Sequence, residues 1–266
     1  MKRICLTLAI FLFVLSATAS IGWAATILAD NFESYANTAA MNAVWTNGGT
    51  ATLSLTNGNP NNPGKSLNHP GTAASFSGGN TNTRSFASVY PAAGEVLTFM
   101  ADIYDDGTSA NKRVSAGIRT ASGANIIEMG MYNGPTHYAH RTILFGTPGG
   151  TNWVAFANVV DDNNNPINNT PVVGWHRYSV SVTPTMATFT LDLNSNGFVN
   201  ATSAVPIGQN AAGGFNIVRL GGPSDVNSAG GGVDFDNIKL AIIPEPAAVV
   251  IAGLGVLLAG AIWRRR

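Results

Sequence analysis

A single cysteine, Cys5, stands in all 266 residues, and it lies inside the first apolar run. The chain beyond it can form no internal disulfide and offers no thiolate to attack a substrate or hold a metal. Charge is scarce too, with Asp, Glu, Lys and Arg at 11% of the sequence. The formal balance of +0 hides an asymmetry, because Lys2, Arg3, Arg264, Arg265 and Arg266 hold five of the fourteen basic residues at the two ends. Between them, nine basic residues face fourteen carboxylates, Glu245 included. That mildly acidic middle argues against nucleic acid as a partner, since phosphate binding needs clustered positive charge. Also missing are a convincing amphipathic helix between the ends and a repeat of fixed period. There is no Gly-x-Ser-x-Gly elbow and no phosphate-binding glycine loop. What is abundant is Gly, Asn, Thr and Ser, which suits strands joined by many turns.

Both ends are apolar. Residues 1–24 begin with Lys2 and Arg3, run apolar from Ile4 to Leu15, and turn small from Ser16 to Ser20. That is the layout of a secretory signal peptide, with cleavage by signal peptidase expected after Gly22-Trp23-Ala24 and a second possible exit at Ala17-Thr18-Ala19. At the other end, Pro244-Glu245-Pro246 precedes an uncharged run from Ala247 to Trp263, closed by Arg264-Arg265-Arg266. With Ile242 and Ile243 the run reaches the ~20 residues a bilayer span takes. The terminal arginines favour the cytoplasmic side, which puts everything before the run outside. This ending resembles the PEP-CTERM sorting signal of exopolysaccharide-producing Gram-negative bacteria. The resemblance implies recognition of Pro244, Glu245 and Pro246 by an exosortase-type transpeptidase in the inner membrane, then release to the cell surface or extracellular matrix.

The expected division is a signal peptide over 1–24, a β-sandwich over 25–242 and a sorting and anchor segment over 243–266. Leu97, Phe99, Ala101 and Ile103 alternate with polar neighbours, the period of a half-buried strand. Further strands are predicted at Arg113 to Arg119, Asn125 to Tyr132, His137 to Phe145 and Asn152 to Val160, each ended by Gly, Pro or Asn. Asn57 to Gly79 reads as a long surface loop containing a short strand at Thr72 to Phe76, with another at Ala51 to Leu55 just before it. Tyr178, Val180 and Val182 share one strand face, and Ala187, Phe189, Leu191 and Leu193 another, so the two make a hairpin. Gly174-Trp175-His176 opening that hairpin, Asp30-Asn31-Phe32-Glu33 near the start and Val233 to Leu240 at the end look like laminin-G and concanavalin A-like jelly rolls. The resemblance implies an antiparallel sandwich whose first and last strands are neighbours; a galactose-binding-like sandwich is the alternative.

Candidate chemistry is sparse. If the terminal strands adjoin, Asp30, Glu33, Asp234 and Asp236 could meet at one edge, where calcium would relieve their repulsion. Asp192-Leu193-Asn194-Ser195-Asn196-Gly197 matches the first half of a calcium loop, but Ser203 stands where its closing Glu belongs, so it reads as a polar turn. His137 and His140, three apart in a strand, point to opposite faces. His176 reads as packing and His69 as a loop residue. Jelly-roll glucanases carry Glu-x-Asp-x-x-Glu, which is absent; Glu128 has Ile126 and Gly130 as same-face neighbours. A retaining glycosidase needs two carboxyls about 5 Å apart, so an enzyme is not expected. Exposed aromatic rings could instead stack on sugars, with Tyr132, Tyr138 and Trp153 the candidates by position. The expected role is non-catalytic, at the cell surface or in extracellular polymer, associated with exopolysaccharide. The alternatives are a carbohydrate-binding module and, behind it, a hydrolase or lyase.

Overall fold

Alternating apolar residues facing a shared interior decide the architecture. The computed structural model describes residues 24–49, 51–69, 81–107, 113–132, 136–144, 153–167, 170–207, 214–221 and 233–244. Strand β1 (Ala25–Asp30) leads through helix α1 (Thr38–Val44) to β2 (Thr46–Asn47), β3 (Thr52–Ser54) and β4 (Ser66–His69). Next come β5 (Thr81–Val89), β6 (Glu95–Asp105), β7 (Arg113–Arg119), β8 (Ile126–Tyr132), β9 (Thr136–Ile143) and β10 (Val154–Ala155). The chain closes with β11 (Gly174–Val182), β12 (Met186–Asp192), β13 (Ala201–Pro206), β14 (Phe215–Gly221) and β15 (Val233–Pro244).

These strands form two antiparallel sheets. One has eight strands, ordered β13-β12-β11-β6-β15-β4-β3, with β1 also paired to β15; the other runs β10-β9-β8-β7-β14-β5-β2. The core lies between them. Leu97, Phe99, Ala101, Ile103, Tyr178, Val180 and Phe189 from the first sheet pack with Val114, Ile118, Ile127, Met129, Val218 and Leu220 from the second. Each large apolar side chain so buried contributes roughly 1.5–3 kcal/mol. The chain is therefore an all-β antiparallel sandwich.

The expected hairpin is present in its expected phase, with Val182 opposite Ala187 and Tyr178 opposite Leu191. First and last strands do adjoin, Asp30 lying opposite Ile238. Several details differ from the sequence reading. A seven-residue helix, α1, exists between the ends; Asn37 caps it by accepting from the Ala40 amide, and Met41 is its buried residue. Two turns are too short for a periodic stripe to show. β5 falls where no strand is predicted, because Asn82, fully buried and donating to the Trp45 carbonyl, takes an inward position. The strand expected at Asn152 to Val160 contracts to β10, followed by an isolated bridge between Val160 and Pro166. His69 closes β4 and is fully buried against Phe235, not in a loop.

β15 extends to Pro244, which lies opposite Glu95. Glu245, Pro246, the run from Ala247 to Trp263, and Arg264, Arg265 and Arg266 lie outside the described residues, as do the first 23 and Thr72 to Phe76. Among the described residues no helix is long and apolar enough to cross a membrane.

Candidate ligand-binding face

Alternation assigns the odd residues of β8 (Ile127, Met129, Met131) to the core. Ile126, Glu128, Gly130 and Tyr132 therefore point outward from the seven-stranded sheet. Glu128 lies opposite Arg141 on β9 and Gly117 on β7, and Gly117 lies opposite Arg219 on β14. The sheet thus carries a row of Arg141, Glu128, Gly117 and Arg219, with Arg119 beside it. Glycine at 117 has a local reason. A Cβ there would come within 2.2 Å of the Ile127 carbonyl oxygen and 2.9 Å of the Glu128 Cγ. Without it, the Glu128 side chain reaches toward the strand of Arg219.

Three guanidinium groups surround that one carboxylate. Arg141 Nη2 donates to Glu128 Oε2 at 3.1 Å, while Oε1 lies 3.2 Å from Arg219 Nη2 and 3.8 Å from Arg119 Nη1. The Arg219 contact is close but out of line for a hydrogen bond. Glu128 Oε1, Arg219 Nη2 and Arg141 Nε are all buried without a hydrogen-bond partner. Burial pushes Arg219 down to about 10, its two arginine neighbours adding to the effect, and lowers Arg119 as well. A half-desolvated cluster with two more positive than negative charges is electrostatically incomplete.

Tyr132 and Trp153 join this face. Their rings stack with centroids 5.1 Å apart, and the Arg141 guanidinium lies 5.4 Å from the Trp153 ring centroid. Both rings are partly exposed. Tyr138, the third aromatic candidate, is not part of the surface: it is fully buried, and its hydroxyl accepts from the Val172 amide. The reason is phase, since Arg141 points outward from β9 and Tyr138, three residues earlier, must point inward.

Each of the four carboxylates expected to share a cation is held by protein donors, and Glu33 and Asp236 share one of them, Asn62 Nδ2. Asp30 accepts from the Phe32 amide, Tyr35 Oη, Trp45 Nε1 and Arg84 Nη1. Asp234 is held by Ser66 Oγ and Asn68 Nδ2. Glu33 accepts from the Lys65 amide and Asn62 Nδ2. Asp236 takes the side-chain amides of Asn57, Asn59 and Asn62 and the Asn237 amide. Strand adjacency brings the residues to one region of the eight-stranded sheet. Among the described residues no group of three or more His, Cys, Asp and Glu is placed to hold a metal. Asp192 likewise accepts from the Asn196 and Gly197 amides of its own turn.

Sequence reasoning missed a second row, on the outer face of the eight-stranded sheet. Asp192, Arg177, Asp102 and Asp236 lie opposite one another across β12, β11, β6 and β15. Arg177 grips Asp102 with two hydrogen bonds, Nε to Oδ1 at 2.8 Å and Nη2 to Oδ2 at 2.9 Å. Asn59, fully buried, donates from one amide to both Asp102 and Asp236. The asparagine loop expected to be surface is thus strapped over buried carboxylates. Burial, with a smaller push from Asp102, raises Asp236 to about 7.

No family model matches the chain, and no curated protein matches it significantly. Solved structures do share its shape. The CBM2 module of the evolved Dit of Lactobacillus casei BL23 phage J-1 is 9% identical with a TM-score of 0.52, the match covering 82% of this chain and 95% of that one. Lectin II from Ulex europaeus is 11% identical, covering 83% and 99%, with a TM-score of 0.46. An endo-1,3-beta-glucanase from Streptomyces sioyaensis is 15% identical, covering 68% and 76%, with a TM-score of 0.40. At these identities the likeness is one of fold: this chain is similar to the phage module as an antiparallel sandwich.

Proposed function

We propose that this chain is an exported, non-catalytic β-sandwich of concanavalin A-like jelly-roll type that binds polysaccharide across the outer face of its seven-stranded sheet. The observation that carries the reading is the stacked, partly exposed Tyr132–Trp153 pair beside Arg141. Aromatic rings held this way offer an apolar plane to a sugar's CH face and a polar rim to its hydroxyls. The non-catalytic part is supported by the strand sequences: Glu128 is the one acid in all seven strands of that sheet, and its neighbours there are arginines. A two-carboxyl glycosidase site has no second member among them. In affinity electrophoresis, gels containing bound polysaccharide should retard the chain, and Tyr132→Ala with Trp153→Ala should abolish the shift while thermal unfolding stays within about 1 kcal/mol. Absence of retardation across a polysaccharide panel would leave a spacer role, and turnover of any glycan would establish an enzyme.

Delivery belongs to the same proposal. Signal peptidase removes residues 1–24, the apolar run from Ala247 to Trp263 sits transiently in the inner membrane, and an exosortase-type enzyme acts at Pro244-Glu245-Pro246. Changing those three residues to alanine should leave the protein in the inner-membrane fraction. Unchanged release would exclude processing at that motif.

A further inference from the structure

Building on the polysaccharide reading, we infer that the polymer is acidic and that Arg119, Arg141 and Arg219 around Glu128 form the subsite for a sugar carboxylate. The acidity of the domain as a whole points the other way, so the distribution matters. Strands of the seven-stranded sheet contain five arginines and one acid, whereas those of the eight-stranded sheet contain seven acids and two basic residues. The sandwich is polarised, and its aromatic pair lies on the basic side.

The cluster is also built to receive an anion. One carboxylate cannot satisfy three guanidiniums, and the geometry makes this concrete. Arg141 Nε and the Arg219 Nη2 atom are buried without acceptors, although Glu128 is within 3.2 Å of the latter. A buried donor without an acceptor is destabilising, the more so where it is charged. A second carboxylate at the exposed edge of the cluster, where the Arg119, Arg141 and Arg219 side chains keep 18%, 19% and 14% of their surface, lowers the excess of two positive charges. Guanidinium is suited to it, because its planar fork pairs with a carboxylate through parallel N–H donors. Arg141 links the two halves of the face: one side of its guanidinium pairs with Glu128, and the same group lies over Trp153. A sugar ring stacked at Trp153 therefore presents an acidic substituent to Arg141. Glu128 has a positioning role, holding the three arginines together in the free protein.

The test compares one polymer in two forms, a uronic-acid polysaccharide and its carboxyl-reduced counterpart, against the full chain. The inference expects retardation by the native polymer, at least tenfold weaker binding to the reduced one, and affinity that falls with salt as screening requires. Arg141→Gln, which removes the charge and most of the guanidinium's donors, should bring the affinity for native polymer down close to that for the reduced one. Because the reduced polymer needs no protein variant, a poorly folding substitution does not blunt the comparison. Equal binding to both forms would overturn the carboxylate subsite and leave polysaccharide binding standing. Binding to neither, nor to any neutral polymer, would remove both.

Discussion

Replacing Asp30 with alanine is expected to destabilise the fold by about 3–5 kcal/mol, the cost of removing one partner from a buried charged network. Asp30 ends β1, and its carboxylate collects four donors from three parts of the chain. The Phe32 amide closes a local turn in which Phe32 takes a φ of 61°, a left-handed value uncommon outside glycine. Tyr35 Oη and Trp45 Nε1 bring in the segment around α1, and Arg84 Nη1 reaches across from β5 at 2.7 Å. Trp45 is fully buried, so its indole N–H cannot exchange Asp30 for water. Arg84 is less constrained, being 29% exposed, and contributes the smaller share. Asp30→Asn should recover little: an amide can accept from the Phe32 N–H, but its own NH2 then faces donors. Chemical denaturation gives the loss. In a double-mutant cycle, Trp45→Phe should cost less in the Asp30→Ala background than in the wild type, since the indole donor has already lost its acceptor. A loss below 1 kcal/mol for Asp30→Ala would show that these contacts do not anchor the edge.

Arg177→Ala is expected to cost a similar 3–5 kcal/mol at neutral pH, and this cost should depend on pH. Arg177 is the cation of the Asp192–Arg177–Asp102–Asp236 row, and removing it leaves Asp102 and Asp236 buried opposite each other with amide donors only. Asp236 is raised to about 7 by burial, above its ordinary carboxylate range. A carboxyl that holds its proton more tightly folded than unfolded stabilises the fold fully below about pH 4, and that contribution is lost as pH rises to about 7. Protonation of Asp236 removes the repulsion that Arg177 otherwise offsets. The gap between variant and wild type should therefore be largest at pH 7–8 and shrink toward pH 5. Wild-type stability alone is a poor readout, because His69 and His140, lowered by burial to about 4, lose stability over the same range as pH falls. The difference between the two proteins cancels the histidines. A gap independent of pH would rule out the proton-linked account.

Legibility followed locality. The strand patterns of β6, β7 and the β11–β12 hairpin were plain because their inward positions are Leu, Phe, Val, Ile, Ala and Tyr, which alternate within a few residues. β5 was hidden because its inward side includes Asn82, whose amide is satisfied by a loop carbonyl that no local pattern foretells. Tyr132 and Trp153 could be nominated as aromatics near strand ends, yet the same rule nominated Tyr138, and only strand phase separates them. The arginine cluster draws on β7, β8, β9 and β14, and sheet order places Arg219 within reach of Glu128. One sequence signal was available: Arg119, Glu128, Arg141 and Arg219 all occupy the polar phase of their strands. The carboxylate row was similarly dispersed, and Asn57 to Asn62 read as a solvent loop because their acceptors lie some 40 to 180 residues away.

The most direct test of the binding face is a crystal structure of the chain with an acidic oligosaccharide. The account predicts a sugar ring against Trp153 or Tyr132 and a carboxylate within hydrogen-bonding distance of Arg141 or Arg219. An oligosaccharide seated on the eight-stranded sheet, or none bound at saturating concentration, would contradict it.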